Sequence, residues 1–137
     1  MIMQVLDFIP AYIDPSSPII FVGISPSKNT RPMKNGTYAR LQRWATDVGL
    51  KKFDFVNCIP DVASSSSMND VNWDNLVLKC FSKRRVVALG NFPSKVLDRC
   101  RIPHLKIDHP SGLNRNLNSP DYETQMLKRL KEYIDEH

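Results

Sequence analysis

Ser25, Asn57 and His109 are the residues of this sequence whose types and positions best suit chemistry. A serine and a histidine brought together could act as nucleophile and base. An asparagine amide offers both a donor and an acceptor to a planar ligand. His109 opens HPSGL (109–113), within the run DHPSGLNR (108–115). Pro110 and Gly112 break helices and central strands, and each fits a tight turn. The same turn presents an apolar Leu113 among polar neighbours, with Arg115 behind it.

Several reaction classes lack a part they need. A Ser/His/Asp triad from Ser25 and His109 has no G-x-S-x-G elbow. Asp108 adjoins His109, and neighbouring side chains of an extended segment point oppositely, so it is a poor orienter. GNFPSK (90–95) lacks the phosphate-loop spacing, and there is no G-x-G-x-x-G. No His/Asp cluster suggests a metal. Cys58, Cys80 and Cys100 are odd in number and lack C-x-x-C spacing, which argues against a disulfide framework and a four-cysteine metal site. They read as small buried apolar residues.

The elements that must position these residues follow from hydrophobic pattern. SPIIFVG (17–23), FDFVN (53–57), RRVVALG (84–90) and the weaker HLKID (104–108) read as strands. The first and third are β-branched and bounded by breakers, the mark of strands buried on both faces of a parallel sheet. Between them lie helical patterns. Tyr38, Leu41, Trp44, Ala45 and Val48 share one face, and Gly49 supplies a stop. Trp73, Leu76, Val77, Cys80 and Phe81 share another within 70–81. Pro93 suits the start of a third helix, with Val96, Leu97 and Cys100 inward. Ser119–Pro120 suits the start of a fourth, with Tyr122, Met126, Leu130, Tyr133 and Ile134 inward. A short N-terminal element precedes the first strand. Alternating strands and helices predict an α/β three-layer sandwich, a four-stranded parallel sheet flanked by helices.

In such sheets ligands bind outside the carboxyl ends of the strands. The loops leaving those ends are GISPSKNTRP, NCIPD, GNFPS and DHPSGLNR. Ser25, Asn57 and His109 are thereby brought to one edge. Singly, each has an ordinary reading, as a turn cap, a strand-end tie and a turn residue. Together they favour a site.

Composition fits one domain spanning 1–137, with 42% hydrophobic and 24% charged residues. The only low-complexity run, SSSS (64–67), reads as a loop. No stretch approaches the ~20 apolar residues of a membrane span, and no secretory signal is evident. The expectation is a cytoplasmic monomer without cofactor, associated with the nucleoid if it binds DNA. The net charge of +5 permits a nucleic-acid partner. Lys28, Arg31, Lys34, Arg40 and Arg43 fall in 27–43 without one acid. On charge alone that segment suits a nucleic-acid face or a solvated one equally.

The ordered motifs resemble the uracil-DNA glycosylase superfamily. GISP (23–26) resembles the family's first-strand G-x-(Asp/Asn/Ala)-P, with serine at the variable position, and HPSGL matches its late H-P-S-x-L. FVNCIP (55–60) resembles the strand ending in the family's base-reading asparagine. VVALGNFPSKVL (86–97) and RPMKNGTYARLQRW (31–44) resemble its intervening strand–helix and its Pro-Phe-x-x-Gly loop with the following helix. The similarity covers roughly 17–113.

That resemblance implies a glycosylase-like fold and a set of roles. His109 would stabilise the departing base anion, a placement typically worth ~10²-fold or more. Asn57, Met33 and Ile24 would line the base. Leu113 would enter the gap left by a flipped nucleotide. Ser111, Arg115, Lys28 and Arg31 would hold the DNA backbone. Ser25 replaces the water-activating aspartate of the most active members, so it could only orient a water. Asp61 is a substitute acid on a neighbouring loop, and Met33 replaces a stacking phenylalanine. The iron–sulfur branch needs four cysteines, which this chain lacks. The implied function is excision of uracil or a modified pyrimidine from DNA by a monofunctional glycosylase. The alternatives are a DNA- or base-binding protein on the same scaffold, without excision, and an enzyme acting on a free nucleoside or nucleotide.

Overall fold

A computed structural model describes residues 13–25, 37–60, 67–110 and 119–136. Four strands form one parallel sheet: β1 (Ile19–Gly23), β2 (Asp54–Asn57), β3 (Arg85–Leu89) and β4 (Leu105–Ile107). Their spatial order is β2-β1-β3-β4. The chain leaves β1 toward one side and β3 toward the other, so the topological switch point lies between those two strands. Four helices cover the sheet: α1 (Thr37–Asp47), α2 (Trp73–Phe81), α3 (Asn91–Arg99) and α4 (Pro120–Asp135).

Strand alternation sorts the core into two layers. Ile19, Phe21, Phe53, Val87, Leu89 and Ile107 face one way, against Leu41 and Trp44 of α1 and Met126 and Leu130 of α4. Ile20, Val22, Val56, Val86 and Ala88 face the other, against Leu76 and Cys80 of α2 and Val96 and Leu97 of α3. Every residue of β1 is buried, as its unbroken apolar run predicts.

Gly49 stops α1 as its position suggests. It adopts φ +87°, and its N–H donates to Thr46 O while Leu50 N–H donates to Ala45 O. These two bonds satisfy carbonyls at the helix end. Trp44 Nε1 donates to Glu123 Oε2 at 3.1 Å, tying α1 to α4.

Four helix readings need correction. Val77 and Phe81 are exposed, not inward, because a nine-residue helix buries only the stripe through Leu76 and Cys80. α3 starts at Asn91 rather than Pro93, which sits third, where its missing N–H leaves no bond unmade. Cys100 caps α3 and is only half-buried. Tyr122 of α4 is 37% exposed, and its hydroxyl engages Asp108 instead of the core. Tyr133 is half-buried, with its hydroxyl donating to Val86 O. Ser119 does occupy the N-cap of α4, with Pro120 following. The N-terminal element, the side chain of Tyr38 and most of the serine run lie outside the described residues.

The amino-end edge of the sheet is closed by paired charges. Lys83 Nζ donates to Pro15 O and Ser17 O, both at 2.7 Å, and meets Asp54 Oδ2 at 3.0 Å. Arg84 and Arg85 donate to the carbonyls of Ile134 and Tyr133 at the end of α4. Cations there complement the free carbonyls and the helix dipole.

Candidate functional site at the carboxyl edge of the sheet

The opposite edge carries the sequence-predicted residues. Backbone pairing runs past the strand ends. Cys58 N–H donates to Gly23 O at 2.9 Å, Ile59 N–H to Ile24 O at 2.8 Å, and Gly90 N–H to Ile107 O at 2.8 Å. Register aligns Gly23 with Asn57, so both belong to the layer that packs on α1 and α4. His109 lies two residues past Ile107, the last residue of β4. Neighbouring strands lie ~4.8 Å apart, so β2 and β4 flank the two central strands across roughly 14 Å. β1 ends in Gly23, and Gly90 follows directly after β3. The edge therefore has a floor without side chains between an asparagine and a histidine.

Gly23 is needed for room. A Cβ there would lie 2.7 Å from Asn57 Oδ1 and 2.9 Å from the Phe55 ring. Asn57 Oδ1 is buried and has no hydrogen-bond partner among the described residues. An unpartnered buried acceptor costs about 1–3 kcal/mol, so its position calls for a donor from outside the fold.

Gly90 makes a second close approach. Its φ is +100°, which favours glycine, and a Cβ would lie 3.3 Å from His109 Cβ. His109 thus packs directly over the end of β3. Burial pushes its pKa below the ordinary 6.5, because desolvation disfavours the imidazolium. At neutral pH the ring is uncharged, with one N–H to donate and one nitrogen to accept. The Asp108 carboxylate is held by Tyr122, whose O–H donates to Oδ1 at 2.6 Å.

Ser25 is half-buried, two residues beyond Gly23. Ile24 is half-buried and belongs to neither core layer, which leaves it at the rim. Ser25, Ile24, Asn57 and His109 thus gather at the carboxyl edge. Met33, Lys28, Arg31, Ser111, Leu113 and Arg115 lie outside the described residues, as does Asp61. Of the basic segment, Arg40 and Arg43 are described, half-buried and exposed. Cys58 and Cys80 are buried, and burial pushes both thiols up to about 12. Among the described residues, no group of His, Cys, Asp or Glu could hold a metal.

Comparison with known families places this arrangement. The model of the Uracil DNA glycosylase superfamily matches residues 10–131. The chain belongs to the uracil DNA glycosylase superfamily. No curated protein matches it significantly. Membership accords with the parallel sheet between helices and with the order of motifs from GISP to HPSGL. Within this superfamily domain, sequence reasoning passed over three features. Gly23 and Gly90 looked like strand stops, yet each also makes space for a site residue. Tyr122 looked like core by helical period, and only its hydroxyl hinted at a polar partner. Among the described residues, no helix is long and apolar enough to cross a membrane.

Proposed function

We propose that the protein flips uracil or a modified pyrimidine out of DNA and hydrolyses its N-glycosidic bond. The buried, unpartnered Asn57 Oδ1 beside Gly23 is the observation that carries this reading. A pyrimidine ring N–H would supply the missing donor, and the Asn57 amide N–H would meet the adjacent carbonyl. The neutral imidazole of His109 would donate to the base oxygen on which negative charge develops. As the C1′–N1 bond breaks, its electron pair leaves with the base. A water oxygen then bonds to the oxocarbenium-like C1′, and its proton is released, leaving the free base and an abasic sugar. Ser25 would orient that water. A neutral hydroxyl removes no proton at pH 7, so turnover is slow. Ile24 and Met33 would line the base. Leu113 would fill the gap in the duplex, and Ser111, Arg115, Lys28 and Arg31 would hold phosphates. The protein acts as a monomer on DNA, without cofactor.

The second reading is a binder that extrudes a base without cleaving. Ser25 at the acid's place is the feature that favours it. One experiment separates the two. Oligonucleotides bearing uracil, mismatched pyrimidines or 5-substituted pyrimidines are incubated with excess protein and then treated with alkali. Strand scission that vanishes in His109→Ala is expected. DNA binding without scission on any substrate would leave only the binder.

A further inference from the structure

His109 also lines a cavity of about 550 Å3, within the range of small-ligand sites. The cavity follows the edge strand β4. Its walls are the start of α3 at Asn91, the strand at Lys106 and Asp108, and the α4 stripe through Tyr122 and Arg129. Two turns of helix separate Tyr122 from Arg129, which keeps both on one face. The cations Lys106 and Arg129 outnumber the single carboxylate, Asp108, and that carboxylate already accepts from Tyr122. Lys106 Nζ gives one of its three donors to Asn91 Oδ1, at 3.0 Å. Its other donors, and the whole Arg129 guanidinium, have no partner among the described residues.

We propose that this groove is a phosphate subsite for a nucleic-acid strand. It takes a backbone phosphate next to the nucleotide whose base faces His109. The inference rests on the DNA-binding part of the function proposed above. Asn57, Ser25 and the neutral His109 bring no positive charge to that edge, so the phosphodiester's charge must be met by neighbouring cations. Lys106 and Arg129 share a cavity with His109 and have donors to spare. A guanidinium grips two phosphate oxygens at once, and an ammonium adds a point charge beside it.

The test measures binding of labelled single-stranded and duplex oligonucleotides between roughly 50 and 200 mM salt. The double variant Lys106→Gln/Arg129→Gln is compared with the wild type. Both residues are exposed, so the fold is spared. Each lost phosphate contact flattens the log–log salt slope by about 1, so a change of about 1–2 is expected, with affinity at the lowest salt reduced at least ~10-fold. Lys131→Gln serves as control, because Lys131 already pairs with Asp135, and its slope should equal the wild type's. An unchanged slope in the double variant overturns the subsite. Deoxyuridine monophosphate distinguishes the phosphate source. If the double variant loses only its thermal protection by that mononucleotide, with the oligonucleotide slope intact, the strand assignment is wrong. Base release is followed in parallel. A flattened slope with no base release in the wild type keeps the subsite and rejects the glycosylase reading, whereas base release with an unchanged slope does the reverse.

Discussion

Gly23→Ala isolates the link between strand packing and the site. Gly23 has no positive φ, so alanine meets no backbone strain there, and the effect comes from the added Cβ alone. That atom would stand 2.7 Å from Asn57 Oδ1 and 2.9 Å from Phe55 Cζ. Ordinary contact begins near 3.4 Å, so the amide must retreat by roughly 0.7 Å. Phe55 packs against the α1–α4 core layer and yields less readily than the amide. Overpacking of this kind costs about 1–3 kcal/mol. The catalytic cost is larger in proportion, because a misplacement near 1 Å can slow a reaction ~10²-fold. Single-turnover release of uracil, with protein above substrate, should therefore slow by about 10- to 100-fold in Gly23→Ala. Gly49→Ala is the matched control. Its φ of +87° makes alanine strained, and nothing lies within 4 Å of the new Cβ. It should cost about 1 kcal/mol in denaturant melts and leave release by the folded protein unchanged. A Gly23→Ala protein that releases uracil at the wild-type rate would refute the reasoning, since Asn57 would then not depend on the gap.

Three further outcomes follow from the same contacts. His109 holds a lowered pKa, so the unfolded chain binds a proton below the ordinary 6.5 where the folded one does not. Stability should fall as pH drops through the window below 6.5, and the midpoint of the His109 ring signals by NMR should lie under that value; a midpoint at or above it rejects the burial argument. Lys83→Met should lower stability by about 1–3 kcal/mol in urea, because Asp54, 1% exposed, loses its closest cation and keeps only Lys79 at 3.4 Å; a change under about 0.5 kcal/mol would mean that the pair is not buried in solution. Asn57→Ala removes an acceptor that nothing in the described fold satisfies, so it should melt within about 1 kcal/mol of wild type while base release falls about 10²-fold or more; strong destabilisation would show that Oδ1 has a structural partner.

Much of this arrangement is legible in the sequence, and the rest depends on distances between elements. β1 and β3 are readable because burial on both faces leaves no polar residue in β1 and only the leading Arg85 in β3. α1 is readable because its apolar period and Gly49 agree. Val77, Phe81 and Tyr122 mislead for a common reason. Periodicity counts apolar types, whereas burial depends on how wide a stripe the sheet can cover. Asn57 and His109 are legible because they stand at or just past the carboxyl ends of parallel strands, which brings both to one edge. The spacing roles of Gly23 and Gly90 are not, because they require the register between β1 and β2 and the path of the chain above β3. The groove at Lys106 and Arg129 is hidden for a similar reason. It exists only because α4 packs along β4, and no pattern within either segment records that.

The two edges of the sheet treat polar groups in opposite ways, and the contrast bears on the chemistry. At the amino edge, the Lys83 ammonium meets three oxygens and the arginines cap α4. The chain evidently has the donors to satisfy buried acceptors where only stability is at stake. At the carboxyl edge, Asn57 Oδ1 is left bare and His109 is held neutral by burial. Both conditions cost free energy, and on the proposed function a planar ligand carrying its own N–H and carbonyl would relieve both. The same neutrality bears on the proposed reaction. If Ser25 stands at the water, it removes no proton, and little of the rate would come from activating the nucleophile. On the proposed function, departure of the base would carry the barrier, and His109 would meet the charge that builds on it. The dependence on leaving group should therefore be steep. A 5-fluoro substituent, which stabilises the departing anion, should speed release well beyond uracil. The gap should widen in His109→Ala, where the base must carry its charge unaided. A flat dependence would mean that attack by water, and not loss of the base, limits the reaction. A carboxylate from elsewhere in the chain would then have to stand over the sugar.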